Sequence, residues 1–165
     1  MWPLRAAIGR ASEVNGRSTV LLWVSMEPAF INPEVVENRL DWLGLASALE
    51  DGHRLPRAQV GSMSLSRQEN TLLSLAAWID GLGIAVKTPT VFPGNTATGL
   101  NSVNGAFCLF SGETGVLEAV IDFHLITKWK TAADSLLAAT KLARGGSSNI
   151  LIVGAGVVAA SMVEA

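Results

Sequence analysis

Six residues near the end of the sequence have the spacing of a phosphate-binding turn. Gly154-Ala155-Gly156-Val157-Val158-Ala159 follows the apolar run ILIV and opens into a further apolar segment. In a G-x-G-x-x-A turn the first glycine permits the tight bend and the second lets backbone approach a pyrophosphate. The small third position lets the helix pack close to the strand. The N–H groups and dipole of that helix then receive the phosphates. A strand before the turn and a helix after it are the context that gives the motif its meaning. The same residues also serve as a plain glycine turn between strand and helix. An acidic residue about 20 positions on would hold the ribose hydroxyl of NAD. The sequence ends before that position, so NAD and NADP are not distinguished.

Other chemistries find little support. His53 and His124 lie far apart, with no ligand spacing to a cysteine or an acid, so no metal site is expected. Cys108, inside AFCLF, reads as core, and a single cysteine forms no internal disulfide, which suits a reducing cytosol. A net charge of -2, with no basic run, argues against nucleic acid. Hydrophobic residues make up 49% and mean hydropathy is +0.37. No apolar run reaches the roughly 18 residues of a membrane span, so the excess implies surface covered by a partner chain or by further sequence. The first residues, MWPLRAAIGRASEVNGRSTVLLWVS, lack the long apolar core of a signal peptide. Met26 reads as a natural start, with an over-long frame before it.

The elements that must position the turn follow from periodicity and caps. Residues 33–53 read as one helix, with Pro33 in its first turn and Gly52 ending it. HRLPRAQVG is extended because of Pro56. Residues 71–92 read as a hairpin, with Asp80-Gly81 as the turn and IAVKTPTVF alternating as a strand. Pro89 removes a ladder donor, which predicts an edge or a bulge there. PGNTATGLN is a loop, and VNGAFCLF and VLEAVID are strands around SGETG. A second helix runs to Gly145-Gly146, with Thr127 as its N-cap. ILIV is then a buried strand.

Several segments, in order, resemble one family. HRLPR, VKTPTVFPGN, GLNSVNGAFCLF, TGVLEAVIDFHLITKWKTAADSLLAA and LIVGAG are similar to the ornithine cyclodeaminase and mu-crystallin family, from about residue 33 onward. That resemblance implies a substrate and dimerisation domain followed by a Rossmann domain, in a chain roughly twice this length. It also implies a small amino or imino acid substrate, held by its carboxylate beside a nicotinamide. Arg57, Lys87 and Lys130 stand where the family places carboxylate-binding cations. From the residues alone, Arg57 is equally a surface salt-bridge partner and Lys87 an outward-facing residue of a half-exposed strand. Buried among apolar neighbours, a lysine is expensive unless paired. Most members resemble R-T-A-A where this chain has Lys130-Thr131-Ala132-Ala133. The charge is kept but the bidentate fork is not. Ser102 stands where the family carries a hydroxyl near cofactor and substrate, or is a loop serine. Thr131, taken to open the helix, bonds a phosphate or caps backbone. Gly154, Gly156, Val157 and Ala159 carry the cofactor contact.

The expected fold class is an α+β substrate and dimerisation domain followed by the first βα unit of a truncated α/β Rossmann domain. The expected division is residues 1–28 as an atypical extension, 29–126 as the first domain and 127–165 as connecting helix and nucleotide unit. The resemblance implies a cytoplasmic, homodimeric, NAD(P)-dependent ornithine cyclodeaminase-like enzyme, with its catalytic aspartate in the half that would follow. Two alternatives stand beside it. One is an NAD(P)H-dependent cyclic imine reductase. The other is a non-catalytic mu-crystallin-like binding protein or an inert truncated product.

Overall fold

Residues 27–165 are described by a computed structural model. The reading of Met26 as a start, and nearly all of the expected extension, lie outside the described residues. Six strands form one sheet: β1 (Ala29–Ile31), β2 (Gln59–Arg67), β3 (Asn70–Ile79), β4 (Gly83–Val91), β5 (Val103–Phe110) and β6 (Leu117–Ile121). Their order is β1-β6-β5-β4-β3-β2. All neighbours are antiparallel except β1 and β6, which run parallel, so the sheet is mixed. Consecutive hairpins explain the antiparallel run, because short turns join antiparallel neighbours directly. The Asp80-Gly81 turn falls between β3 and β4 as its composition predicts, closed by Leu82 N–H donating to the Ile79 carbonyl at 3.0 Å.

Pro89 sits neither on an edge strand nor at a bulge. Strand β4 lies between β3 and β5, and Pro89 is buried opposite Gly105. The ladder with β3 passes from Leu75↔Lys87 to Leu72↔Thr90 with the pairs at Thr88 and Pro89 missing and the register unchanged. The missing N–H interrupts the ladder without shifting it. The sheet's irregularity falls instead at Leu109/Phe110.

The expected first helix is two. Asn32 caps a single turn, α1 (Pro33–Val36), accepting from Val35 N–H at 3.1 Å. A 3-10 turn, Glu37–Arg39, follows, and Leu40 is extended. Asp41 then caps α2 (Trp42–His53), accepting from Gly44 N–H at 2.6 Å. An extended N-cap with a side-chain acceptor starts a new helix rather than continuing the old one. Helix α2 runs one residue past Gly52.

Helix α3 (Phe123–Leu142) starts earlier than expected, and Thr127 does not cap it. Asp122 does, accepting from Leu125 N–H at 2.7 Å. Helix α3 packs over β5, α2 packs over α3, and Trp42 stacks on Trp129 with ring centroids 3.9 Å apart. Phe123, Leu125, Trp129, Ala132 and Ala133 of α3 are buried, with Ala46 of α2 and Ala119 of β6. Alternation along the strands puts Ala76, Val86 and Cys108 on the opposite face of the sheet, together with exposed Met63, Leu65 and Trp78.

Helix α4 (Val157–Glu164) packs on α3. The expected buried strand before it is not formed: residues 150–153 pair with no strand, and Leu151 and Val153 are 88% and 93% exposed. A strand of this apolar type needs neighbours on both sides and cover on both faces, and the described residues supply neither. Among the described residues no helix is long and apolar enough to cross a membrane.

Candidate functional site

Lys87 projects from the middle of the sheet, paired in register with Leu75 on one side and Phe107 on the other. Its ammonium donates to Thr127 Oγ1 at 3.2 Å and lies 4.9 Å from the centroid of the Phe123 ring. Thr127 Oγ1 in turn donates to the Phe123 carbonyl at 2.7 Å. Among the described residues no carboxylate pairs with Lys87. Burial pushes the Lys87 ammonium below the usual lysine range, and the nearby Lys130 charge pushes it further. A half-buried cation with no counter-ion is an anion site in waiting.

Gly105 makes room for this arrangement. A Cβ there would stand 2.5 Å from the Thr88 carbonyl oxygen and 2.7 Å from Phe123 Cδ2. Only a glycine lets the Phe123 ring lie on β5 beside Lys87. An open groove of about 450 Å³ runs over β2 to β5, lined by Val60, Ser62, Leu75, Ala85, Lys87 and Phe107 among others. Among the described residues, Lys87 is the one charged residue in that lining.

The other expected cations are placed differently. Lys130 lies on α3 three residues beyond Thr127, and its ammonium pairs with Asp134 one turn on. Arg57 is exposed on the loop before β2 and makes no side-chain hydrogen bond or ion pair among the described residues. Arg54, three residues earlier, pairs instead with Glu50 and Asp51, each at 2.7 Å. Thr131 stands well inside α3, so it neither opens the helix nor caps backbone; its carbonyl accepts from Ser135 Oγ at 3.1 Å. Ser102 is half-buried at the end of the Pro93–Thr98 3-10 turn and its loop, and its carbonyl accepts from Phe92 N–H at 2.7 Å. Asn95 and Asn104 both donate to the Asn101 carbonyl next door, at 3.0 and 2.8 Å, which fixes the loop.

Thr127 and Phe123 are the site residues that sequence reasoning missed. The available signal was Asp122, a better cap than Thr127, which frees the threonine to lie one turn inside the helix.

At the glycine turn, Gly154 has φ +121, a conformation that side chains other than glycine's rarely adopt. Gly156 is the N-cap of α4 with no side-chain cap, so the first N–H groups of that helix are uncommitted. A Cβ at Gly154 or Gly156 would meet nothing within 4 Å. A shallow cleft of about 250 Å³ is lined by Ile152, Gly154, Ala155, Ala159, Ala160 and Val163. Val157 is 71% exposed. Free N–H donors beside open space at both glycines fit a pyrophosphate. Among the described residues, no three of His, Cys, Asp and Glu cluster as metal ligands.

Residues 55–165 match the model of the ornithine cyclodeaminase/mu-crystallin family. The chain belongs to that family. Within it, the chain is 48% identical over 141 residues to a Delta(1)-pyrroline-2-carboxylate reductase of Paracoccus denitrificans, covering 86% of this chain and 45% of the relative. An archaeal alanine dehydrogenase dimer with bound NAD superposes with a TM-score of 0.73 at 29% identity, over 83% of this chain and 44% of that one. A lysine cyclodeaminase, studied for its recognition of L-lysine, L-ornithine and L-2,4-diaminobutyric acid, superposes with a TM-score of 0.61 at 26% identity, over 83% and 44%. The chain thus spans about half the length of the family members it matches. These likenesses agree with the expected α+β domain followed by the start of a Rossmann unit, and membership agrees with the resemblance carried by the sequence motifs.

Proposed function

We propose that this chain is the substrate-binding part of an NAD(P)H-dependent reductase of a cyclic imino acid, of the Δ1-pyrroline-2-carboxylate type. The observation that carries this reading is the groove over β2 to β5, whose lining holds one charged residue, Lys87, and no carboxylate. A cyclic imino acid presents one carboxylate and an apolar ring. A diamino acid such as ornithine carries a second ammonium, and among the described residues no acid lines the groove to receive it. The likeness to the Paracoccus denitrificans reductase supports the same choice. The cyclodeaminase reading, foremost from the motifs, therefore ranks second.

In this reading Lys87 grips the substrate carboxylate by a charge-assisted hydrogen bond. Arg57, near groove-lining Val60 in the sequence and without an ion pair, reaches the same anion. Lys130, tied to Asp134, contributes its field more than a direct bond. Gly154, Gly156, Val157 and Ala159 receive the cofactor pyrophosphate on the first turn of α4, with Ser102 and Thr131 on the cofactor side. A reduced nicotinamide bound there would supply hydride to the imine carbon, with a proton from water going to the nitrogen. The apolar walls, Leu75, Ala85 and Phe107, suit the ring of the imino acid.

The domain division follows: a substrate domain over residues 29–126 and a connecting helix and nucleotide unit over 127–165. A second copy of the protein covers the apolar sheet face that carries Met63, Leu65 and Trp78, giving a cytoplasmic homodimer. The test is an assay of the whole protein with Δ1-pyrroline-2-carboxylate and NADH or NADPH, followed by loss of nicotinamide absorbance. Turnover that needs added reductant supports the reductase. Release of ammonia from ornithine without added reductant would replace it by the cyclodeaminase, and cofactor binding without turnover of either would leave a binding protein.

A further inference from the structure

Thr127 is bonded twice, and the direction of both bonds is fixed. Its hydroxyl proton goes to the Phe123 carbonyl at 2.7 Å. An ammonium has no acceptor, so the 3.2 Å contact with Lys87 has Lys87 as the donor and a Thr127 lone pair as the acceptor. The same ammonium lies over the Phe123 ring, 4.9 Å from its centroid. Of the three N–H groups of Lys87, one is thereby spent on Thr127, and the positive head is steadied over the ring face. Lys87 also lines the groove with Ser62, Leu75 and Phe107, where its other N–H groups are left for a ligand.

We propose that Thr127 is a positioning residue that seats the Lys87 ammonium for the substrate carboxylate. It acts through Lys87 and touches no reacting atom. A four-carbon stem with free rotamers would otherwise let the ammonium wander over the open groove. The seat costs the substrate nothing, because it uses a donor that the carboxylate does not need. This rests on the reading in which Lys87 binds the carboxylate.

The experiment compares T127V, T127S and K87A in the whole protein, by steady-state kinetics with Δ1-pyrroline-2-carboxylate across pH. Losing an acceptor to a charged donor should raise KM about tenfold in T127V, with kcat less affected. The lost acceptor also disfavours the ammonium, so the alkaline limb of kcat/KM should move to lower pH in T127V. T127S keeps the hydroxyl and should restore both KM and the limb. T127A removes the same acceptor and gives the reading should T127V fail to fold, as judged by thermal unfolding. A KM and pH limb unchanged in T127V, or an equal loss in T127S and T127V, would overturn the proposal. If K87A raises KM while T127V does not, Thr127 alone loses its role. If K87A leaves KM unchanged, the carboxylate reading of Lys87 falls with it.

Discussion

Lys128 of α3 donates to Glu37 at 2.7 Å, tying the helix under the site to the 3-10 turn that precedes α2. The bond to Lys128 holds the Glu37 carboxyl below its usual range, and the same bond holds Lys128 above its own. Since the folded Glu37 pKa is depressed, its contribution is present above the unfolded carboxylate range and is lost as pH falls through the folded pKa. The raised Lys128 pKa gives a contribution present below the unfolded lysine range and lost as pH rises through the folded one. Between those limits the pair stabilises the fold. E37Q should lower the midpoint of thermal unfolding at pH 7, and the difference from wild type should shrink as pH falls through the depressed Glu37 pKa. A melting series across pH measures this.

Lys87 should behave in the opposite sense. Its folded pKa is depressed by burial, so keeping the proton opposes folding below that pKa. K87M should therefore melt at a higher temperature at pH 7 than the wild type. The same change should raise KM for the imino acid about ten- to a hundredfold, the worth of a charge-assisted hydrogen bond. Calorimetry and steady-state kinetics on one preparation test both halves.

G105A should be costly although alanine is small. Its Cβ meets a backbone oxygen at 2.5 Å and the Phe123 ring at 2.7 Å. Strand β5 is fixed by β4 and β6, so the ring must move. The expected loss is about 1–3 kcal/mol in a denaturant titration, as for other overpacked sites. Displacing Phe123 also unseats Lys87, so KM should rise in G105A beyond what instability explains.

G154A separates conformation from crowding. The added methyl would meet nothing within 4 Å, yet the backbone has φ +121. The cost is conformational strain of about 1–3 kcal/mol, relieved by reshaping the turn. The expected outcome is a large loss of NADH binding, read by nucleotide fluorescence, with little change in the thermal unfolding of the sheet.

Local signals carried the sheet well. Asp80-Gly81 marked the β3–β4 hairpin because the turn chemistry is written in those two residues. Pro89 misled, since a missing N–H is tolerated inside a sheet when the ladder skips two pairs and keeps its register. The helix break at Leu40 was hidden by the spacing of Val36, Leu40 and Leu43, and Asn32 and Asp41 held the better clue. The same oversight moved the start of α3 from Asp122 to Thr127 and so concealed the partner of Lys87. Arg57, Lys87 and Lys130 were legible as cations. The surroundings of Lys87 were not, because Thr127 and Phe123 reach it only through the tertiary fold, whereas the pairing of Lys130 with Asp134 is local to one helix and was open to reading. For ILIV the composition spoke truly of a wish for burial, but burial requires strands that the described residues do not provide.

Asp122 has a second bond that bears on how the chain assembles. While its carboxylate caps α3, its N–H donates to the Ile31 carbonyl at 2.8 Å, extending the parallel pairing of β1 with β6. The two strands are separated by most of the described sequence, whereas β2 to β5 close through neighbouring hairpins. Loop-closure entropy then sets a sequence of events. The meander zips first, α3 is nucleated at Asp122 on its finished edge, and β1 arrives last. In pulsed exchange during refolding, the Asp122 amide should therefore acquire protection after the amides of β3 and β4.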